Sequence, residues 1–314
     1  MGDSLKTLSE HYTSIPIICG PTASGKSDLS LSLCLKIDGE LCSCDSMQIY
    51  KNMNIGTAKA TAEEQKLVPH HLINIIEPTQ TYNVSVYVNH ARGAIEDCIS
   101  RGHLPVFCGG TGQYISALVD GISYVEFEID PALHESLYLR YQNNGIADLY
   151  TKLEAADPEI AKNIHPNNTK RVIRALEIYL QTGKTMTQVN EDSKKSGPQY
   201  PFSLFSINWD RDTLYKRMDQ RVDKMVADGI FDEVAALRDA GLSQVNTSMQ
   251  AIGYKEILQY FDGKCSYNEA IDMIKLHTRH YGKRQLTWFR RMPQIHYVAQ
   301  GDIDSILEKI RINT

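Results

Sequence analysis

The 314-residue chain predicts an α/β protein, a parallel sheet flanked by helices and interrupted by an all-helical insert. Three observations predict it. Short apolar runs, each ending at a glycine or an aspartate, alternate with stretches of helical spacing. A glycine-rich loop follows the first of these runs and opens directly into a helix. From about Asp130 to Asn190 the strand-like runs stop, and only short amphipathic helices are legible.

The elements follow in order. Ile15–Cys19 is an apolar run entering the glycine loop, and Lys26–Leu35 has helical spacing. Leu41–Cys44 is a second strand ending at Asp45. Ser85–Ser100 reads as a helix. Leu104–Cys108 is a third strand, ending in Gly109-Gly110-Thr111-Gly112. Polar residues gather just after each strand, at the edge where open α/β sheets bind ligands. The character changes near Ile122. Helices are then expected at Pro131–Gln142, Ile146–Ala155, Pro158–Asn163 and Thr169–Gln181, with Asn167-Asn168-Thr169 as an N-cap group and Gly183 as a stop. Asn190–Pro201 reads as a polar linker. Phe202–Asn208 returns to strand, and helices continue to about Arg291. The expected division is a core of residues 1–122 and 199–314 around an insert of 123–198.

Composition narrows the class. Hydrophobic residues make up 42% and charged residues 23%, with no apolar run long enough for a membrane span. The polar start MGDSLKTLSEHYTS lacks the apolar segment of a secretory signal. It also fits a myristoylation site poorly, because Thr7 rather than residue 6 carries the hydroxyl. A net charge of −5 argues against a generally basic coat for nucleic acid and leaves room for local patches. The seven cysteines are odd in number and form no C-x-x-C pair, as expected of buried reduced thiols in a cytosolic protein.

Gly20-Pro21-Thr22-Ala23-Ser24-Gly25-Lys26-Ser27 has the spacing G-x-x-x-x-G-K-S after a strand, which makes the core P-loop NTPase-like. Its N–H groups and the helix start form an anion nest, Lys26 adds a positive charge, and Ser27 suits Mg²⁺. The loop alone does not say what carries the phosphates. A kinase would also use a strand ending in aspartate, and Leu41–Asp45 supplies one.

Other blocks decide the matter. CDSMQIYKNMNIGTAKAT (from Cys44), Gly109–Thr111, HPNNTKRVIRALE (from His165) and KRQLTWFRR (from Lys283) occur in the order seen in the tRNA dimethylallyltransferases. From about Pro16 to Arg291 the chain resembles that family, also called tRNA isopentenyltransferases, in its bacterial form. The resemblance implies that the loop cradles the diphosphate of dimethylallyl diphosphate rather than ATP, with Mg²⁺. It implies transfer of the dimethylallyl group to the exocyclic N6 amine of the adenosine directly 3′ of the anticodon, in tRNAs reading codons that begin with U. Diphosphate leaves.

An aromatic amine is a poor nucleophile, and a carboxylate bonded to it can take its proton as the new bond forms. Asp45 is the candidate base. From the residues alone it is equally a Mg²⁺-shell or helix-cap carboxylate. Ser46, Met47 and Gln48 join it in the expected tRNA-binding set, with Gln48 suited to an adenine edge. By resemblance Thr111 contacts the bridging oxygen of the diphosphate; the alternative is a turn threonine. Arg217 and Arg221 stand one helical turn apart. By themselves they read as a solvated face paired with Asp219 or Asp223; the resemblance makes them diphosphate ligands.

A stacked anticodon-loop base must be extruded to react, so the insert is expected to grip the loop through Lys170, Arg171, Val172, Ile173 and Arg174. A basic stripe at Lys275–Arg291, free of Asp and Glu, contributes Lys283 and Arg284. In it Trp288 and Phe289 read as core. His134 stands where the family commonly has an arginine approaching the tRNA, so that contact is expected to be weaker, pH-dependent or absent. The chain lacks the Cys/His zinc-finger extension of many eukaryotic relatives, which favours a cytoplasmic bacterial-type enzyme; a monomer is expected. Two other readings compete: an adenylate isopentenyltransferase acting on free nucleotide, and a P-loop kinase or nucleotide-dependent RNA-binding protein.

Overall fold

Every residue of β1 (Ile15–Cys19) is buried, the pattern of a parallel strand covered on both faces. The computed structural model describes residues 11–122, 130–195 and 197–312; the polar stretch before His11 and the expected boundary at residue 123 lie outside them. After β1 come α1 (Lys26–Ile37), β2 (Glu40–Ser43), α2 (Ala62–Leu67), the two-residue β3 (His70–His71), α3 (Val84–Ser100), β4 (Pro105–Gly109) and α4 (Gly112–Val119). The next elements are helical: α5 (Pro131–Asn144), α6 (Ile146–Ala156), α7 (Pro158–Asn163), α8 (Thr169–Thr182) and α9 (Met186–Lys194). Then follow β5 (Phe202–Ile207), α10 (Arg211–Ala227), α11 (Ile230–Asp239), a 3₁₀ turn at Ser248–Gln250, α12 (Tyr254–Phe261), α13 (Tyr267–Phe289), β6 (Ile295–Val298) and α14 (Ile303–Ile310).

The described strands form one parallel sheet in the order β3-β2-β4-β1-β5-β6. Ile17 of β1 lies opposite Phe107 of β4 and Leu204 of β5. This order makes β2, β4 and β1 neighbours, so their carboxyl ends open side by side. At such an edge, where the chain order reverses, α/β sheets place ligands. The second strand runs Glu40–Ser43 rather than Leu41–Cys44, which leaves Asp45 on a loop just past the sheet.

The loop after Asp45 is tied to the helices that follow β5. Ile49, Tyr50 and Met53 are buried in one cluster with Val222, Ile230, Val234, Tyr254 and Ile257, each such side chain contributing roughly 1.5–3 kcal/mol. Glu233 accepts the backbone N–H groups of Asn54, Ile55 and Gly56 at 2.8, 2.8 and 3.2 Å. Lys59, buried, donates to Tyr50 O, Asn54 Oδ1 and Asn74 Oδ1. A segment without regular structure is thereby made rigid by charge-assisted bonds.

The described residues form two compact units, one running to Val119 and resuming at Tyr200, the other Asp120–Gln199. The second is built by its caps. Asp130 accepts Ala132 N–H ahead of Pro131, Asn168 accepts Arg171 N–H, and Gly183 ends α8 at φ 71. Its core is Leu137, Leu149, Leu153, Ile164, Val172, Ile173 and Leu176. The expected linker Asn190–Pro201 is helical through Lys194. Thr185 and Gln188 start α9 with a capping box, and Asp157 takes both the N–H and the hydroxyl of Thr187.

Candidate active site

β1 hands the chain to the loop Gly20–Ser27. Gly25 stands at φ 84 at the head of α1, and Ala23 at φ 61 is also left-handed. Such alternation turns successive N–H groups inward. No side chain caps α1, so its first-turn N–H groups and the positive end of its dipole are left for an anion. Lys26 curls back over the loop, Nζ donating to Pro21 O at 3.1 Å. Ser24 is fully buried, and its hydroxyl has no hydrogen-bond partner among the described residues. Ser27 is exposed at the head of the helix.

β2 leads to Asp45 and β4 to Thr111, and the two are knotted together. Asp45 Oδ1 accepts the Met47 N–H at 2.9 Å, an Asx turn. Its other oxygen accepts no hydrogen bond from any described residue. The Thr111 N–H donates to Cys44 O at 3.1 Å, and Thr111 Oγ1 accepts the Ser46 N–H at 3.0 Å. Behind Cys44, the Tyr87 hydroxyl reaches its sulfur at 3.0 Å while the Tyr87 ring stacks on Tyr114 at 3.9 Å between centroids. Gln48 departs from expectation. Its Oε1 accepts from Ser43 Oγ at 2.8 Å, and its Nε2 donates to Thr57 O and Ala58 O. Both ends of the amide brace the loop, and with Nε2 donating twice Gln48 has no donor left for an adenine edge.

The arginines expected on α10 reach this cluster. Arg217 Nε donates to Ala23 O at 2.8 Å, and its guanidinium lies over Trp209 at 4.5 Å. Trp209 in turn donates to Ser24 O at 2.9 Å. Arg221 follows one turn on. Burial pulls the pKa values of Lys26 and Arg221 down, their mutual repulsion lowers Lys26 further, and the Asp45 charge opposes the fall in both. Asp219 and Asp223, the alternative partners, turn elsewhere: Asp219 takes Arg279 at 2.7 and 2.8 Å, and Asp223 takes Lys275 at 2.6 Å. Residues two apart on a helix point to different faces.

One residue escaped the sequence reading. Gln285 of α13, buried, accepts the Thr22 N–H at 2.9 Å and donates to Gly110 O at 2.9 Å. Tyr281 lies one turn earlier, and burial pushes its phenol pKa up. The signal for Gln285 was only its place inside KRQLTWFRR.

A glycine loop, a cluster of cations and a carboxylate with one oxygen free thus share one sheet edge, and comparison with known proteins gives that edge a family. The sequence model of the IPP transferase family matches residues 48–292, starting past the glycine loop. The tRNA dimethylallyltransferase of Carboxydothermus hydrogenoformans is 46% identical over 296 residues, which span 94% of this chain and 95% of that protein. That of Bacillus subtilis is 45% identical over 301 residues, spanning 96% and 95%. The chain belongs to the tRNA dimethylallyltransferase family. The crystal structure of a full-length tRNA isopentenylpyrophosphate transferase from Bacillus halodurans superimposes with a TM-score of 0.69 at 39% identity, covering 94% of this chain and 95% of that one. A eukaryotic dimethylallyltransferase acting on tRNA superimposes with a TM-score of 0.78 at 30% identity, covering 92% of this chain and 74% of its own.

In this dimethylallyltransferase relative the residues expected to face RNA divide into free and engaged. Lys170 and Arg171 are exposed on the first turn of α8 and carry no ion pair among the described residues. Val172 and Ile173 are 0% and 4% exposed and form the insert's core, so their side chains are not contacts. The carboxylate of Glu177, itself buried, holds the other two candidates. His134 Nδ1 lies 2.5 Å from one of its oxygens and Arg174 Nη1 3.7 Å from the other. His134 is therefore tied to Glu177 although its side chain is more than half exposed, and Arg174 is half-buried beside it.

The basic stripe is also partly neutralised. Lys275 and Arg279 pair with Asp223 and Asp219, and His277 Nδ1 lies 2.6 Å from buried Glu256. Counting acids within the segment missed these, because they come from neighbouring helices. Lys283 and Arg284 stay exposed without an ion pair among the described residues, Arg284 lying 5.6 Å over the Tyr281 ring. Phe289 is core, but Trp288 is 41% exposed, its Nε1 donating to Ser116 at 3.1 Å.

Proposed function

We propose that this chain moves a dimethylallyl group from dimethylallyl diphosphate to the N6 amine of the adenosine 3′-adjacent to the anticodon, in cytoplasmic tRNAs reading U-starting codons. The observation that carries the reading is the free oxygen of Asp45 facing the same sheet edge as an uncapped, cation-lined phosphate loop, on a chain of this family. A kinase needs such a loop too; a carboxylate left available as a base beside it supports transfer to an amine.

The diphosphate rests on the N–H groups of Gly20–Ser27 and on Lys26, Arg217 and Arg221. Burial disfavours the charge on Lys26 and Arg221, and a bound anion relieves that cost, which supports their role in the cradle. Ser27 fits Mg²⁺: it is an exposed hard oxygen donor beside the phosphate site, and Mg²⁺ commonly combines few protein oxygens with substrate phosphates. The ion, when bound, supplies screening of the diphosphate charge. The bond between the allylic carbon and the diphosphate oxygen breaks as the carbon–nitrogen bond to N6 forms. The free oxygen of Asp45 takes the N6 proton. Thr111 Oγ1 meets the bridging oxygen that departs with the electron pair, and the cations hold the charge that develops there.

Lys170 and Arg171 crowd positive charge at the start of α8, where the helix dipole disfavours it. A polyanion removes that penalty, and this supports tRNA contact there and at Lys283 and Arg284. Labelled dimethylallyl diphosphate with Mg²⁺ and an unmodified anticodon stem-loop is expected to put label into the RNA. Preferred labelling of AMP, or ATP hydrolysis with no transfer of label, would overturn the assignment.

A further inference from the structure

We propose that Gln285 is a positioning residue that sets the distance between the diphosphate cradle and the Asp45–Thr111 knot. The inference rests on the functional reading above and adds a residue to it. The β1–β4 ladder ends at the pair Cys19–Gly109. Beyond it, no backbone hydrogen bond joins the Gly20–Ser27 loop to the Gly110–Gly112 loop among the described residues. The chemistry requires these two loops to keep register, because one holds the leaving group while the other carries the hydroxyl that meets it.

The Gln285 amide supplies the missing rung. Its Oε1 accepts from Thr22 N–H and its Nε2 donates to Gly110 O, both at 2.9 Å, so a side-chain amide does what a further peptide unit of the sheet would do. Only a group with both an acceptor and a donor serves both partners. The fit leaves no slack: a Cβ at Gly110 would lie 2.2 Å from Gln285 Nε2. The amide is buried, where it is protected from exchange with water. Through this one amide, α13 grips both sides of the gap.

The test uses Gln285→Met, which keeps length and loses both bonds, Gly110→Ala, which expels the amide from the other side, and the double variant. A displacement of about 1 Å at a reacting centre costs up to roughly 10²-fold. Each single variant is expected to lower kcat by about 10- to 10²-fold, while affinities for inorganic pyrophosphate and for tRNA alone stay at wild-type values. The double variant is expected to be no worse than the poorer single, because both break one joint. Unchanged kcat in both singles, losses that multiply in the double, or a parallel fall in both affinities would each overturn the role. So would failure of both variants to fold, since Gln285 would then be structural; if only Gln285→Met fails to fold, Gly110→Ala decides. Wild-type protein that binds pyrophosphate but transfers nothing to tRNA would instead defeat the functional reading, whereas wild-type turnover with undiminished variants defeats only the role of Gln285.

Discussion

Replacing Asp45 with asparagine tests the base with the fold held constant. The Met47 N–H needs an acceptor at Oδ1, and that requirement orients the new amide. The asparagine oxygen keeps the Asx turn, and the amide nitrogen falls where the free carboxylate oxygen stood. A proton acceptor becomes a donor without disturbing the loop. Loss of a general base slows reaction by about 10²- to 10⁴-fold, or ~2.7–5.4 kcal/mol of barrier. A second effect has the opposite sign. Asp45 is a negative charge that offsets the half-buried cations Lys26 and Arg221. Without it, inorganic pyrophosphate has more to neutralise and binds more tightly. Single-turnover transfer to a stem-loop, measured with pyrophosphate calorimetry on the same protein, reads both. Asp45→Ala also loses the turn, at about 1 kcal/mol of further loop stability. A variant keeping more than half of wild-type turnover, or one with weakened pyrophosphate binding, would refute the reasoning.

Lys26→Ala and Ser27→Ala are expected to impair use of dimethylallyl diphosphate, Lys26→Ala by a charge-assisted bond worth ~1.5–3 kcal/mol, with tRNA affinity measured alone unchanged and millimolar ATP competing poorly. Replacing Lys170 and Arg171 together should lower the magnitude of the log–log salt slope of tRNA binding by about 1.4–1.8 units; parallel slopes would move the grip to Lys283 and Arg284. Stability should depend on pH at both ends through one cluster. The Arg101 guanidinium holds the Glu40 carboxyl down at about 2, so its contribution is full above 4.5 and is lost as pH falls through 2. Contacts with the Cys98 sulfur and Glu40 push His71 up to about 9, so its contribution is full below 6.5 and is lost as pH rises through 9. Melting curves of Glu40→Gln across pH check both arms: the variant should be less stable at neutral pH and show weaker dependence at each end.

What was legible in the sequence was what local chemistry specifies. A fully apolar run before a glycine loop marked β1 to the residue, and Asp-Pro and Asn-Thr pairs marked the starts of the insert's helices, because caps act within one turn. β3 has two residues and depends on its pairing with β2, so no periodicity could reveal it. In β6 only Ile295 and Val298 are buried, an i, i+3 spacing that matches helical rather than strand periodicity. The capping box of α9 was present in Thr185 and Gln188 but was outweighed by the polar run after it. At the site, residue types were legible and partners were not. Gln48 and Gln285 are both amides near the chemistry, and only the folded chain shows that each is committed to joining loops.

The same limit governs charge. A net charge of −5 says little about RNA, since fixed charges act over a screening length of ~8 Å at physiological salt; local pairing decides which cations remain available. Glu177, Asp219, Asp223 and Glu256 each hold a basic side chain that linear reading left free. Among the cations without an ion pair in the described residues, three groups concern the site. Lys26, Arg217 and Arg221 line the phosphate loop, Lys170 and Arg171 stand at one helix start, and Lys283 and Arg284 flank Gln285. An acidic protein can therefore keep local clusters of unpaired positive charge. Carboxylates take up the basic charge of Arg174, Lys275 and Arg279, and positive charge survives where no acid comes within reach.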